Sequence, residues 1–164
     1  IFSYTRNPMY LGMLLILLSV SFKFNIAGGI LKSIHNKIYW NYGDYVGIGP
    51  GAHGRLSNSN GRYATQSHSN PDKWVKSVHK STGESVRTLI SKPDQADEMV
   101  MMGLRLSSGI SKARYQKLSG KKFNEKNLTN LINDDLILVE KGFIRATESG
   151  LAVLNSLILS LLSD

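Results

Sequence analysis

Apolar positions fall into two regimes along this chain. Residues 8–22 form an apolar run with no charge until Lys23, and a weaker apolar patch resumes over residues 26–31. The run is shorter than the roughly 20 apolar residues that cross a bilayer, so it predicts a half-span, a buried helix or a tilted anchor. It also lacks the small-residue cleavage site that follows the apolar region of a signal peptide. Beyond it the apolar positions come in short, spaced groups. Tyr45-Val46-Gly47-Ile48-Gly49 reads as a short buried strand running into a tight loop, and residues 62–66 as a second strand. Asn70 and Pro71 sit where an N-cap and a first helical residue belong, ahead of Trp74, Val75, Val78 and His79. Residues 84–91 alternate as a strand does, and Lys92-Pro93-Asp94 marks the clearest boundary.

The last third has the most legible pattern. Asp94 is read as the cap of a helix over residues 95–106, with Met99, Met102, Gly103 and Leu106 on one side. A linker carries Ile110 and Tyr115 toward a further helical piece. Asn124 caps the next helix, where Leu128, Leu131 and Ile132 have the spacing of an inward face. Residues 136–140 and 143–146 form strands across the turn signal Lys141-Gly142. Thr147 caps a last helix whose Leu151, Leu154, Ile158 and Leu161 face the core. Helices, a hairpin wing and a helix make a winged-helix-like module. The expected domains are an apolar N-terminal segment (1–22), a second segment (23–92) and this module (93–164).

Composition narrows the chemistry. The chain has 164 residues, 41% of them hydrophobic, which is enough for a packed core. It has no cysteine, which excludes disulfides, thiolate zinc sites and any iron-sulfur cluster held by this chain alone. That composition fits a cytoplasmic protein, with weak membrane association through residues 8–22 as a further expectation. The formal charge of +8 is concentrated before residue 95, where eleven Lys or Arg face only Asp44, Asp72, Glu84 and Asp94. Such a field attracts phosphates, carboxylated tetrapyrroles, nucleic acid or acidic headgroups without choosing among them.

Two segments carry candidate chemistry. His35-Asn36-Lys37-Ile38-Tyr39-Trp40 sets an imidazole beside aromatics. Neutral imidazole is a good axial ligand for heme iron, Tyr39 and Trp40 can cover a porphyrin face, and Lys37 can meet a propionate. The same pattern also suits a packed histidine that donates one hydrogen bond, and both readings stand. Gly47-Ile48-Gly49-Pro50-Gly51-Ala52-His53-Gly54 is too short and too oddly spaced for a dinucleotide fingerprint, and no Lys-Ser or Lys-Thr follows it as a phosphate loop requires. It reads either as a loop lining a crevice at a strand end or as a structural turn.

Other residue clusters carry less. His68 and His79 lack partners at metal spacing and receive no role. Met99, Met101 and Met102 fill the core, and no glycine-flanked nucleophile elbow supports hydrolysis. Lys112, Arg114, Lys117, Lys121, Lys122 and Lys126 raise the alternative of a winged-helix nucleic-acid-binding module. Residues 95–164 hold nine bases against eight acids, which makes nucleic acid an unfavoured partner and a solvated charged face the better reading.

Taken in order, His35-Asn36-x-x-Tyr39-Trp40, Asp44-Tyr45-x-Gly47 through Gly54, Glu98 to Leu106, and Leu136 to Gly150 ending in Thr147-x-x-Gly150 resemble the C-terminal half of a radical-SAM family. That family comprises the oxygen-independent coproporphyrinogen III oxidases and their heme-chaperone relatives (HemN/HemW type). The resemblance spans about residues 25–162, with four motifs in the family's order. It implies an α/β (α+β) fragment: the last part of a radical-SAM partial β/α barrel followed by a winged-helix-like C-terminal domain.

By the same resemblance, the chain is a truncated or fused heme-binding, heme-chaperone-like portion of such a protein. His35 is the implied heme-iron ligand, with Asn36, Tyr39 and Trp40 as further heme contacts. Gly49, Gly51, Ala52 and His53 form the implied edge of an S-adenosylmethionine pocket. Heme or porphyrin and a heme-accepting apoprotein are the implied partners. The family's Cys-x-x-x-Cys-x-x-Cys, which holds a 4Fe-4S cluster, is missing here, so the chain alone is expected not to catalyse radical chemistry. Separately, Tyr4-Thr5-Arg6-Asn7-Pro8-Met9-Tyr10-Leu11-Gly12 resembles a segment of the membrane-bound isoprenylcysteine and phospholipid methyltransferases over residues 1–18. A methyltransferase fragment fused to this chain is therefore a third expectation.

Overall fold

A computed structural model describes residues 36–163. Residues 36–40 form one helical turn, closed by Asn41 N–H to Lys37 O at 2.9 Å and Gly43 N–H to Ile38 O at 2.8 Å. Tyr42 takes a positive φ of 58° as the chain leaves the turn. The apolar run predicted as a strand at Tyr45–Gly49 is an extended strap instead. Only Tyr45 pairs, in an isolated bridge to Arg55, and Val46 and Ile48 are 66% and 83% exposed. Alternation there does not bury a face, so it does not specify a strand.

The strand follows the glycine run. β1 (His53–Asn58) pairs antiparallel with β2 (Gly61–Ser67), and β2 with β3 (Glu84–Leu89), giving the order β1-β2-β3. The turn between β1 and β2 is tightened by Asn60 N–H to Asn58 Oδ1 at 2.8 Å, an Asx turn. All three strands are antiparallel, so the glycine run does not open from a parallel strand end. Between β2 and β3 lies α1 (Pro71–Lys80), with Asn70 capping Lys73 N–H and Pro71 at its start, as the sequence predicts. Its apolar positions are not core, however: no residue of α1 is buried.

Downstream of β3 the chain is α-rich. It contains α2 (Lys92–Gly103), β4 (Ile110–Ser111), α3 (Lys112–Ser119), α4 (Glu125–Asn133), β5 (Ile137–Glu140), β6 (Phe143–Ala146), α5 (Glu148–Ala152) and α6 (Leu154–Leu162). The strands form a second antiparallel sheet in the order β4-β6-β5. Lys141 and Gly142 both take positive φ, 49° and 80°, the backbone that a two-residue primed hairpin turn demands. Asn124 caps α4 through Lys126 and Asn127 N–H. The cap of α2 is Ser91, not Asp94: Ser91 Oγ accepts from Asp94 N–H and donates to the Asp94 carboxylate at 2.7 Å. Both residues serve the same helix end, three positions apart, with the Asp94 carboxylate taking the Ser91 hydroxyl and not the backbone N–H that closes a capping box.

The predicted last helix is two helices, broken at Val153 (φ −116°, ψ 28°). Leu151, expected inward, is exposed on α5, and Ile132 is likewise exposed on α4. Both lie at the margins of their apolar stripes, where a single shift of helix rotation decides burial. The core is built from Ala96, Met99, Val100, Leu104, Ile110, Tyr115, Phe123, Leu128, Leu131, Ile137, Ile144, Leu157, Ile158 and Leu161, joined by Tyr42. Tyr115 and Phe123 stack in it with ring centroids 3.9 Å apart. Met99 is buried there as predicted, while Met101 packs on its margin.

Candidate functional site

His35 lies outside the described residues, as do residues 1–34, including the apolar run and the methyltransferase-like segment. The rest of the histidine hexapeptide is placed. Asn36, Tyr39 and Trp40 stand at positions i, i+3 and i+4 of one helical turn, so they share a side of it, and all three are half-buried. Lys37 is exposed. The Tyr39 ring meets the Tyr45 ring edge-on at 4.4 Å, and burial raises the phenol pKa of both residues above the ordinary tyrosine value. Trp40 sits near the end of α2: a Cβ at Gly103 would lie 3.8 Å from the Trp40 carbonyl. Arg114 of α3 donates to the Asn41 carbonyl at 3.2 Å.

The glycine loop folds back on itself. A side chain at Gly47 would strike the His53 backbone, 2.5 Å from its carbonyl oxygen, so only glycine permits that approach. Gly49 has a φ of 107° and open space where a Cβ would stand. Gly51 N–H is bonded to His68 O at 2.9 Å and Ala52 N–H to Gly49 O at 3.2 Å, so these two donors are committed within the fold. His53, half-buried at the start of β1, has its imidazole pKa lowered by burial and by the Arg55 guanidinium.

A polar network, buried at Arg55, Arg62 and Tyr42 and not anticipated from the sequence, holds the two segments together. Arg55 meets Glu98 of α2 through Nη2–Oε1 at 2.8 Å and Nε–Oε2 at 3.1 Å, with the two side chains only 4% and 13% exposed. The Tyr42 hydroxyl donates to Glu98 Oε2 at 2.9 Å. Burial first, and then the Glu98 carboxylate, hold that phenol strongly protonated. Arg62 lies over the Tyr42 ring, 4.0 Å from its centroid, and donates to Asp44 Oδ1 at 2.5 Å and to the Gly43 carbonyl at 2.7 Å. Asp44 in turn accepts from Ser57 N–H at 2.7 Å and Ser57 Oγ at 2.9 Å.

Two of the eleven cations that precede residue 95, Arg55 and Arg62, are therefore buried and paired. Glu98 and Asp44 each lie inside a motif of the family resemblance, which is the one signal the sequence offers. Their partners could not be read off because the contacts span 43 and 18 residues.

Other candidates are not brought to these segments. Two clefts of about 200 Å³ lie elsewhere, one lined by Lys112, Gln116, Lys122, Phe123 and Glu125 and the other by Lys121, Lys122, Asn124 and the end of α6. Lys112 faces Glu125 at 3.5 Å. Among the described residues no group of three or more His, Asp or Glu is placed to hold a metal. No described helix is long and apolar enough to cross a membrane.

Comparison with known proteins agrees with this architecture. Residues 90–153 match the family described as HemN C-terminal domain. Radical S-adenosyl methionine domain-containing protein 1, mitochondrial, of Bos taurus is 35% identical over 150 residues, covering 85% of this chain and 34% of that protein. Heme chaperone HemW of Buchnera aphidicola is 31% identical over 132 residues, covering 76% of this chain and 33% of the chaperone. The chain thus spans about a third of the length of these relatives. The solved coproporphyrinogen III oxidase HemN from Escherichia coli shares the fold at a TM-score of 0.54 and 15% identity, over 74% of this chain and 29% of that one. The methyltransferase resemblance gains no support from these matches. By the matched domain, the relatives and the common fold, the chain belongs to the HemN/HemW-type radical-SAM family and corresponds to its C-terminal portion.

Proposed function

We propose that this chain supplies the heme-contact segment and the C-terminal domain of a heme-handling protein of this family. One observation carries the reading. Directly after His35, a helical turn sets Asn36, Tyr39 and Trp40 on one side, half-buried, with Lys37 exposed. Two aromatics on one side of a turn suit the face of a flat macrocycle, and an exposed ammonium suits its propionates. In this reading His35 contacts the heme iron and heme is cargo, passed to an accepting apoprotein. Relatives named heme chaperone support it.

The glycine loop fits a second ligand less fully. Gly49 leaves room for close approach, and Gly49, Gly51, Ala52 and His53 form one rim of an S-adenosylmethionine pocket in this proposal. A 4Fe-4S cluster does not fit this chain, which has no cysteine, and no radical step is assigned to it. The order α2-β4-α3-α4-β5-β6 supports a winged-helix-like reading of residues 93–164, with residues 23–92 as the end of the barrel domain. Absence of disulfides fits a cytoplasmic location.

The test is an absorbance titration with hemin. The chain is expected to shift the Soret band, and His35→Ala to remove the shift. Equal spectra from the two proteins overturn the heme role.

A further inference from the structure

The turn that carries Tyr39 and Trp40 is held from outside. Its own hydrogen bonds run from the N–H groups of Asn41, Tyr42 and Gly43 to the carbonyls of Lys37, Tyr39 and Ile38. A turn this short has too few internal bonds to persist on its own, because nucleating helix costs more than one turn returns. What fixes it is Tyr42, which leaves the turn at positive φ, is 7% exposed, and joins the core of the α-rich part. Its hydroxyl ends on Glu98 Oε2, and the two oxygens of the same carboxylate also receive Arg55 from β1. Tyr45, the edge-on neighbour of Tyr39, is bridged to Arg55 through both backbone groups, Tyr45 N–H to Arg55 O at 2.8 Å and Arg55 N–H to Tyr45 O at 2.9 Å. One carboxylate on α2 therefore sets both sides of the Tyr39–Tyr45 contact.

We propose that Glu98 is a positioning residue for the aromatic segment: through Tyr42 and Arg55 it fixes the Tyr39–Trp40 turn against the Tyr45 strap that leads into the glycine loop. This inference rests on the heme reading for what the segment binds, and on geometry for how it is held. It gives the C-terminal domain a task in ligand binding, since Glu98 lies in that domain while the aromatics precede it. A carboxylate suits the task because its two oxygens accept from two directions, which an amide oxygen alone does less well.

The experiment compares the full chain with Tyr42→Phe and Glu98→Gln by amide hydrogen exchange and by hemin titration. Tyr42→Phe keeps the ring under Arg62 and removes only the hydroxyl, so folding is retained. In Tyr42→Phe, exchange at Asn41, Tyr42 and Gly43 is expected to rise on the order of tenfold, as loss of one hydrogen bond to a charged acceptor implies, while amides of α4 and the β5–β6 hairpin keep their protection. Hemin affinity is expected to fall by a similar factor in both variants. Unchanged exchange at the three amides of Tyr42→Phe, or a uniform rise across α4 and the hairpin in that variant, overturns the positioning role. A wild-type chain that binds no hemin overturns the heme reading instead, and the exchange result then decides the positioning role alone.

Discussion

Arg55 and Glu98, 43 residues apart, meet in a two-pronged ion pair closed over by the protein, at 2.8 and 3.1 Å. Removing one partner of such a pair leaves the other charged in a dry place, whereas replacing both by apolar groups relieves that cost. Glu98→Leu is expected to lower stability by about 3–5 kcal/mol, and Arg55→Met combined with Glu98→Leu to recover most of the loss. Urea denaturation of the two single variants and the double variant checks this. Additive losses would show that the pair is not coupled.

His53 gives the fold a pH dependence of definite sign. Burial and the Arg55 guanidinium lower its imidazole pKa below the ordinary 6.5, so the unfolded chain binds the proton more readily than the folded one. Stability is then full above the unfolded value and is lost as pH falls through it toward the folded value. The thermal midpoint of the wild type is expected to fall more between about pH 7.5 and about pH 5 than that of His53→Gln. Parallel curves would remove His53 from the account.

Thr147-x-x-Gly150 has a mechanical reason. Thr147 Oγ1 accepts from Gly150 N–H at 2.9 Å, and the Thr147 N–H donates to the Leu136 carbonyl at 3.1 Å. A Cβ at Gly150 would collide with that same Leu136 carbonyl oxygen. Glycine to alanine in a helix normally stabilises, by up to about 1 kcal/mol. Here Gly150→Ala is expected to destabilise by about 1–3 kcal/mol, read as a lower denaturant midpoint. A variant as stable as wild type would show that the hairpin and α5 do not press together at this point.

These cases show where the sequence was informative. Asn70, Asn124 and Thr147 are caps because a side-chain oxygen reaches an N–H two or three residues on, and Lys141-Gly142 is a turn because two adjacent residues take positive φ. Such signals are local and need no fold to be read. β1 carries no such signal because His53–Asn58 buries two adjacent residues, Gly54 and Arg55, with no period-2 pattern. Val46 and Ile48 misled for the converse reason, being apolar and exposed.

The candidate site divides in the same way. The aromatic residues of the hexapeptide stand out in the sequence itself, while their helical turn comes only from the fold. The carboxylate that holds the turn is not legible there, because Tyr42 and Glu98 are 56 residues apart and only the folded chain brings them within 2.9 Å.

Heme contact by the histidine hexapeptide is tested most directly by comparing three of the chain's four histidines. Hemin titrations of the wild type, His35→Ala, His68→Ala and His79→Ala, followed at the Soret band, provide the comparison. His35→Ala alone is expected to abolish the shift while the other two variants follow the wild type. A shift that survives His35→Ala, or that is lost equally in all three variants, contradicts that contact.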